Sequence, residues 1–412
     1  MFVGPNNAGK TNLSDSLEFL GQVARSGLEV AVSREGGFEN LAFRRSRRTR
    51  QPVRFSFKAT TPALASLGRF ADRRERRAFE NLSISVAYEF QLRASSESRD
   101  ADFRVTEEDL EMCLLDGAAE NLARVRMTRR ETDVSVTVDG LRNTESGEAV
   151  DTEDPFEDFF DPFPLSGFDD YLERTLEPTA LALTRAGVLN TPIRELLSSL
   201  GRTRLFQLTP VECRRSGSVT PNPELDRHGA NLPAVVRYIQ RNHSDAWGRT
   251  LTAMRTIMPG LTTIQTEFTT DRRLALLFHE TGARPWTSGE VSDGTMQSLA
   301  LFTCLFDPRI PVVLIEEPEN SVHPWIVKMF VDACREVKDK QVLITTHSPA
   351  LISYLRPAEL DVVWRDADGR TQLRPLEELD PQAPELWRTG QLDLYELIDG
   401  GWVRETIPPG LQ

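Results

Sequence analysis

A chain of 412 residues with 39% hydrophobic residues can bury the cores of two or three packed units, which excludes an intrinsically disordered protein. Its net charge of −13 excludes a protein that coats nucleic acid over its whole surface, so any such contact needs a local basic patch. No apolar run reaches membrane-spanning length and no secretory leader precedes the first motif; Cys113, Cys213, Cys304 and Cys334 are widely spaced, without a C-x-x-C pair, and fit a reducing cytoplasm.

The first motif comes almost at once. Gly4-Pro5-Asn6-Asn7-Ala8-Gly9-Lys10-Thr11 has the G-x-x-x-x-G-K-T spacing of a phosphate-cradling loop, with Asn12 at its exit. Glycines at both ends let the backbone turn tightly and bring its N–H groups to phosphate oxygens. Lys10 can reach the outer phosphates of ATP, and the Thr11 hydroxyl can ligate Mg²⁺. Thr11 to Leu20 reads as a helix, with Leu13, Leu17 and Leu20 on one face, whose positive N-terminus lies under the phosphates. Such a loop hangs from a buried strand, yet only Met1-Phe2-Val3 precede it. The expectation is that N-terminal strands are missing and that an upstream extension would pair with residues 53–57 or 82–90.

Further along, Arg44, Arg45, Arg47, Arg48 and Arg50 form a basic cluster, followed by Arg73, Arg74, Arg76 and Arg77 on a helix predicted over 71–79. Both sets read either as a DNA footprint or as a solvated face with acidic partners. Val53–Phe57 and Asn81–Arg93 alternate like half-buried strands. Residues 94–204 read as an inserted α+β lobe: short strands at Val125–Thr128 and Val134–Val138, an acidic stretch from Asp151 to Asp170, and helices over 168–201, with no heptad repeat. Residues 1–93 and 205–365 then form the two parts of the core, and 366–412 a C-terminal extension.

The core resumes with a short strand at Leu205–Leu208, helices from Asn231 to Gln240 and from Ala246 to Met258, and strands at Thr262–Phe268 and Leu274–His279. Ser292-Asp293-Gly294-Thr295 opens an apolar helix from Met296 to Phe306, so its Ser and Gly sit where a helix N-terminus can hold an anion. Val312-Val313-Leu314-Ile315 runs into Glu316-Glu317, a buried parallel strand with carboxylates at its carboxyl end. Glu316 would hold Mg²⁺ through water; Glu317 would polarise the attacking water, as general base or water-positioner. Val342-Leu343-Ile344-Thr345-Thr346 ends in His347, placed to sense the terminal phosphate.

G-x-x-x-x-G-K-T, S-D-G-T, I-E-E-P-E-N-x-x-H-P and T-T-H-S-P together resemble the ABC-type ATPases of the SMC/RecF-like group, in particular the bacterial AAA-family ATP-binding proteins that include the ATPase half of OLD-family nucleases. The resemblance covers about residues 1–60 and 205–365. It implies an α/β P-loop NTPase of ABC-ATPase head type, with a mostly parallel central sheet, flanking helices and the inserted lobe. It also implies that Ser292–Thr295 is the signature motif, Glu316 and Glu317 the Walker B pair, Asn320–His323 the D-loop region and His347 the switch histidine. ATP on Gly4–Thr11 and Asn12 of one protomer would then meet Ser292–Thr295 of another, giving an ATP-gated homodimer. Glu316 stands where Asp is commoner, and S-D-G-T differs from the transporter signature. Gln51 is the candidate Q-loop residue. No acidic D-x-D nuclease module follows. The function implied is ATP hydrolysis in DNA maintenance or anti-phage defence with a separately encoded effector; the alternative is a non-hydrolysing, ATP-gated scaffold. A transporter subunit fits neither the signature nor the absence of a membrane segment.

Overall fold

The computed structural model describes residues 1–42, 51–62, 81–95, 103–118, 120–139, 168–189, 191–366, 368–400, 403 and 405. They divide into two units: Met1–Glu18 with Arg202–Gln412, and Phe19–Gly201. The arginine clusters at 44–50 and 73–77 and nearly all of the acidic stretch 151–170 lie outside the described residues.

The first unit is built on a six-stranded sheet in the order 371–375, 361–365, 2–3, 341–345, 312–316, 204–206. All neighbours run parallel except the outermost pair, Asp361–Arg365 with Thr371–Pro375. Val313, Leu314 and Ile315 are buried, as a continuous apolar run in a parallel strand requires. The helix Asp293–Phe306 is apolar on all sides and almost wholly buried, and its Phe302 meets Phe330 of the helix Pro324–Glu336 edge to face. A smaller antiparallel sheet, Leu261–Phe268, Leu274–Glu280 and Trp286–Thr287, completes the unit.

The strand before the phosphate loop is only Phe2–Val3, as its short lead-in requires. Its two neighbours come from the C-terminal half: Phe2 pairs with Thr345 on one side and with Asp361 on the other. Strands 53–62 and 83–94 are likewise engaged, with each other and, for the latter, with 103–115. The strand 83–94 therefore has both edges filled and is not the open edge that an upstream extension would need.

The boundary expected at residues 93/94 falls instead inside the helix Lys10–Ser26, because the strands Val53–Pro62 and Ser83–Ala94 belong to the second unit. There they form a five-stranded antiparallel sheet with Phe103–Leu115, Asn121–Arg130 and Asp133–Asp139. Ile84, Val86, Tyr88, Phe90 and Leu92 face its core. Cross-strand pairs on the other face join Arg54 to Glu89, Arg130 to Asp109, and Arg124 and Arg126 to Glu111. The described part of the C-terminal segment expected from residue 366 packs with the first unit. Thr371–Pro375 joins the main sheet, and Leu376, Ala383, Leu394 and Leu397 are fully buried in the first unit's core.

Candidate functional site

Three neighbouring parallel strands, 2–3, 341–345 and 312–316, deliver their carboxyl ends to one edge of the sheet. The phosphate loop, Thr346-His347 and Glu316-Glu317 follow directly from those ends. The order matters: the histidine strand lies between the loop strand and the acidic strand, and Glu316 is in register with Thr345. Residues far apart in sequence are brought together by sheet topology alone.

The loop has the backbone that its glycines permit. Gly9 has φ 98° and Asn7 φ 65°. A Cβ on Gly4 would lie 1.9 Å from the Val363 carbonyl oxygen, so only glycine lets the loop leave the sheet there. Lys10 opens the helix and is buried, its ammonium donating to the carbonyls of Gly4 at 2.8 Å and Pro5 at 3.1 Å. Burial pulls its pKa down to about 8, with the Glu317 carboxylate pulling it back up. Asn6, Asn7, Thr11 and Asn12 are exposed, Pro5 and Gly9 half-buried, and Ala8 packs beneath the loop with Phe2 and Val363.

Glu317 holds a left-handed backbone, φ 46°, and its carboxylate accepts from the Asn320 side-chain amide at 2.9 Å. A non-glycine residue in that conformation stores about 1–3 kcal/mol of strain, which the surrounding turn must hold. Ser321 repeats the conformation with φ 61°. His347 is exposed; desolvation first, and Lys10 second, lower its pKa, while Glu317 raises it. Lys10, Glu317 and His347 thus lie within electrostatic reach of one another. The lowered pKa favours the neutral imidazole, which can accept or donate.

Glu316 is buried. Desolvation raises its pKa, against the opposing charge of Arg227. One of its oxygens, Oε1, is buried without a hydrogen-bond partner. An orphaned carboxylate oxygen beside a phosphate loop fits the hydrated shell of a divalent cation, so Glu316 and Thr11 would hold Mg²⁺ here. When bound, that ion supplies charge neutralisation of the phosphates.

Two residues in this site carry contacts that the motifs assign to no residue. Glu319 Oε1 accepts from the Thr346 hydroxyl at 2.6 Å and from the amides of His347 and Ser348 at 3.3 and 3.2 Å, so it fixes the turn that presents the histidine. Arg227 Nη2 lies 3.1 Å from Asp15 and 3.6 Å from Glu316, and its Nη1 lies 3.4 Å from Glu18. The first is adjacent to a known motif and legible as P-E-N; the second comes from a loop with no sequence signal of its own.

Ser292–Thr295 forms a separate constellation. Ser292 caps the helix by accepting from the Thr295 amide at 3.1 Å, so the helix starts at Asp293, three residues before the apolar run. Arg214 braces it, donating to the carbonyls of Ser288 and Val291 and to the Asp293 carboxylate. A Cβ on Gly294 would lie 2.9 Å from the Ser321 carbonyl oxygen. Among the described residues, no hydrogen bond or ion pair joins Ser292–Thr295 to Gly4–Thr11. Gln51, the candidate Q-loop residue, lies two residues before the second unit's strand Val53–Pro62.

Residues 1–353 match the model of the family described as "AAA domain, putative AbiEii toxin, Type IV TA system". The chain belongs to this AAA family. Among curated proteins, none matches this AAA domain. Solved structures similar to it include an SMC head bound to the C-terminal winged-helix domain of ScpA, 13% identical, covering 92% of this chain and 90% of that one with a TM-score of 0.41. A Pyrococcus furiosus Smc head with an extended coiled coil, bound to the C-terminal domain of ScpA, is 12% identical over 95% and 92% of the two chains, TM-score 0.36. The SMC head of Thermotoga maritima is 12% identical over 70% and 74%, TM-score 0.28. The AAA domain is an α/β P-loop ATPase fold with a parallel-rich sheet, as its motifs imply.

Proposed function

We propose that this AAA domain binds ATP on Gly4–Thr11 and Asn12 and hydrolyses it, working as an ATP-gated homodimer in DNA maintenance or anti-phage defence with a separately encoded effector. The observation that carries the reading is the delivery of Lys10, Glu316, Glu317 and His347 to one sheet edge by three adjacent parallel strands. In this reading the backbone amides of the loop and the Lys10 ammonium bind the phosphates. Glu317, oriented by Asn320, takes the proton of the attacking water. His347, oriented by Glu319, hydrogen-bonds the terminal phosphate. The separate placement of Ser292–Thr295 supports completion of the site by a second copy of the chain. Arg44–Arg50 and Arg73–Arg77 are the candidate DNA contacts. Among the described residues no helix is long and apolar enough to cross a membrane, and the free cysteines accord with a cytoplasmic protein.

The test is light scattering and turnover of Glu317→Gln beside the wild type. The variant binds ATP, becomes dimeric in ATP and Mg²⁺, and turns over about 100-fold more slowly, the scale of a lost catalytic base. A mass that stays monomeric removes the dimer. ATP binding with no turnover by the wild type replaces hydrolysis with the ATP-gated scaffold.

A further inference from the structure

Arg227 reaches the site from outside every motif. Its backbone carbonyl accepts from the Gln207 amide at 2.8 Å, and the next carbonyl, His228, accepts from Thr209 at 3.0 Å, so the loop is laced to the chain just beyond the strand Arg204–Phe206. From there the guanidinium spans three carboxylates. Two, Asp15 and Glu18, are one turn apart on the phosphate-loop helix; the third is Glu316 on the acidic strand. Among the described residues no set of three or more His, Cys, Asp or Glu side chains has metal-ion spacing. The acids are gathered round a guanidinium instead. That grip uses Oε2 of Glu316, while Oε1 stays buried and unpartnered.

We propose that Arg227 is a resident counter-ion of the nucleotide site: a positioning residue that holds Glu316 and the phosphate-loop helix together before Mg²⁺·ATP arrives, and that sets how much Mg²⁺ the site requires. The inference rests on the ATP-site reading above. Three carboxylates so close repel one another, and a single fixed positive charge offsets that repulsion. The same charge stands beside the carboxylate to which Mg²⁺ must come. It therefore raises the Mg²⁺ concentration needed to fill the site and keeps it from loading a cation without nucleotide. Arg227 is only about one-third exposed, so this interaction is less screened than a surface pair.

The experiment compares the full-length wild type with Arg227→Gln and Arg227→Lys by thermal melting. Without nucleotide and in EDTA, Arg227→Gln melts lower than the wild type. Millimolar Mg²⁺ then recovers more of that loss than choline chloride at matched ionic strength, while the wild type and Arg227→Lys gain little. With ATP present, the half-saturating Mg²⁺ for stabilisation is at least about threefold lower in Arg227→Gln, the sign set by removing a neighbouring positive charge. A residue that merely packs would lower the melting temperature and leave both Mg²⁺ responses unchanged, and that result overturns the proposal. If Arg227→Gln does not fold, Asp15→Asn takes its place: losing one acid and letting Arg227 lean on Glu316 raises the half-saturating Mg²⁺, and an unchanged value overturns the proposal equally. A wild type that ATP and Mg²⁺ do not stabilise removes the ATP-site reading, whereas the nucleotide-free arm still decides the role of Arg227.

Discussion

Glu319 and Thr346 are joined by a 2.6 Å hydrogen bond from the threonine hydroxyl to the carboxylate, and the same oxygen also accepts from the amides of His347 and Ser348. The bond ties the turn after the acidic strand to the turn after the histidine strand. Glu319→Ala takes this acceptor from the Thr346 hydroxyl and the His347 amide, while the Ser348 amide keeps the Thr346 hydroxyl oxygen at 2.9 Å; the buried Thr346 hydroxyl left unsatisfied costs about 1–3 kcal/mol. The expected outcome is a lower melting temperature together with slower ATP turnover, while ATP binding through Lys10 persists. Turnover equal to wild type would show that the histidine turn holds its shape unaided.

Lys10→Ala is expected to abolish nucleotide-induced thermal stabilisation in a melting assay. The wild type also has a pH signature. Phosphate binding favours the protonated ammonium, and burial brings its pKa in the nucleotide-free protein down to about 8 from 10.5. ATP affinity is therefore full below about pH 8 and falls as pH rises through it. Fold stability moves the other way: between about 8 and 10.5 the unfolded chain binds the proton more tightly, so the Lys10 contribution to stability increases with pH. Calorimetric titration of ATP binding at several pH values, beside Lys10→Arg, checks the first trend. The arginine stays charged, so its residual binding loses less affinity across the same range.

Gly4→Ala places a methyl group 1.9 Å from the Val363 carbonyl oxygen, backbone that cannot swing aside. The phosphate loop must move off the sheet edge. Loss of ATP binding is the expected result, with a fall in melting temperature of the first unit. Gly27→Ala, where nothing lies within 4 Å of the added carbon, is the comparison; its φ of 83° costs only backbone strain. Equal effects from the two would rule out the steric explanation.

Glu108 and Arg129 form a buried ion pair at 2.9 Å in the second unit, with side chains 0% and 2% exposed. Tyr88 and the amides of Ala182 and Leu183 also donate to Glu108, and Arg129 donates to Ala180 and Glu131 carbonyls. Arg129→Met strands a carboxylate in the interior, at about 3–5 kcal/mol. Denaturant melting should show that loss, while nucleotide affinity, a property of the first unit, stays within about twofold on the scale of independent sites. A large change in nucleotide affinity would mean that the two units are energetically coupled.

The sequence by itself carried the motifs from which the nucleotide site is proposed. Gly4–Thr11, Glu316-Glu317 and His347 are each announced by local spacing, since a phosphate loop and a carboxyl-terminal strand end are short-range structures whose residues lie next to one another in the chain. It also determined the strands near residues 53–62 and 83–94, where apolar alternation is plain, but not that they pair with each other. It did not reveal the strand Phe103–Leu115, because Glu107, Glu108, Asp109 and Glu111 disfavour strand formation until arginines across the sheet pair with three of them and Arg129 inside the core pairs with Glu108. Only the tertiary structure decided which strands stand beside Phe2–Val3, where the second unit begins, and that Arg227 lies against Asp15, Glu18 and Glu316. Those are long-range pairings, more than 200 residues apart for Arg227 and Asp15, and no local periodicity carries them; they arise when sheet order and core packing select one arrangement from many.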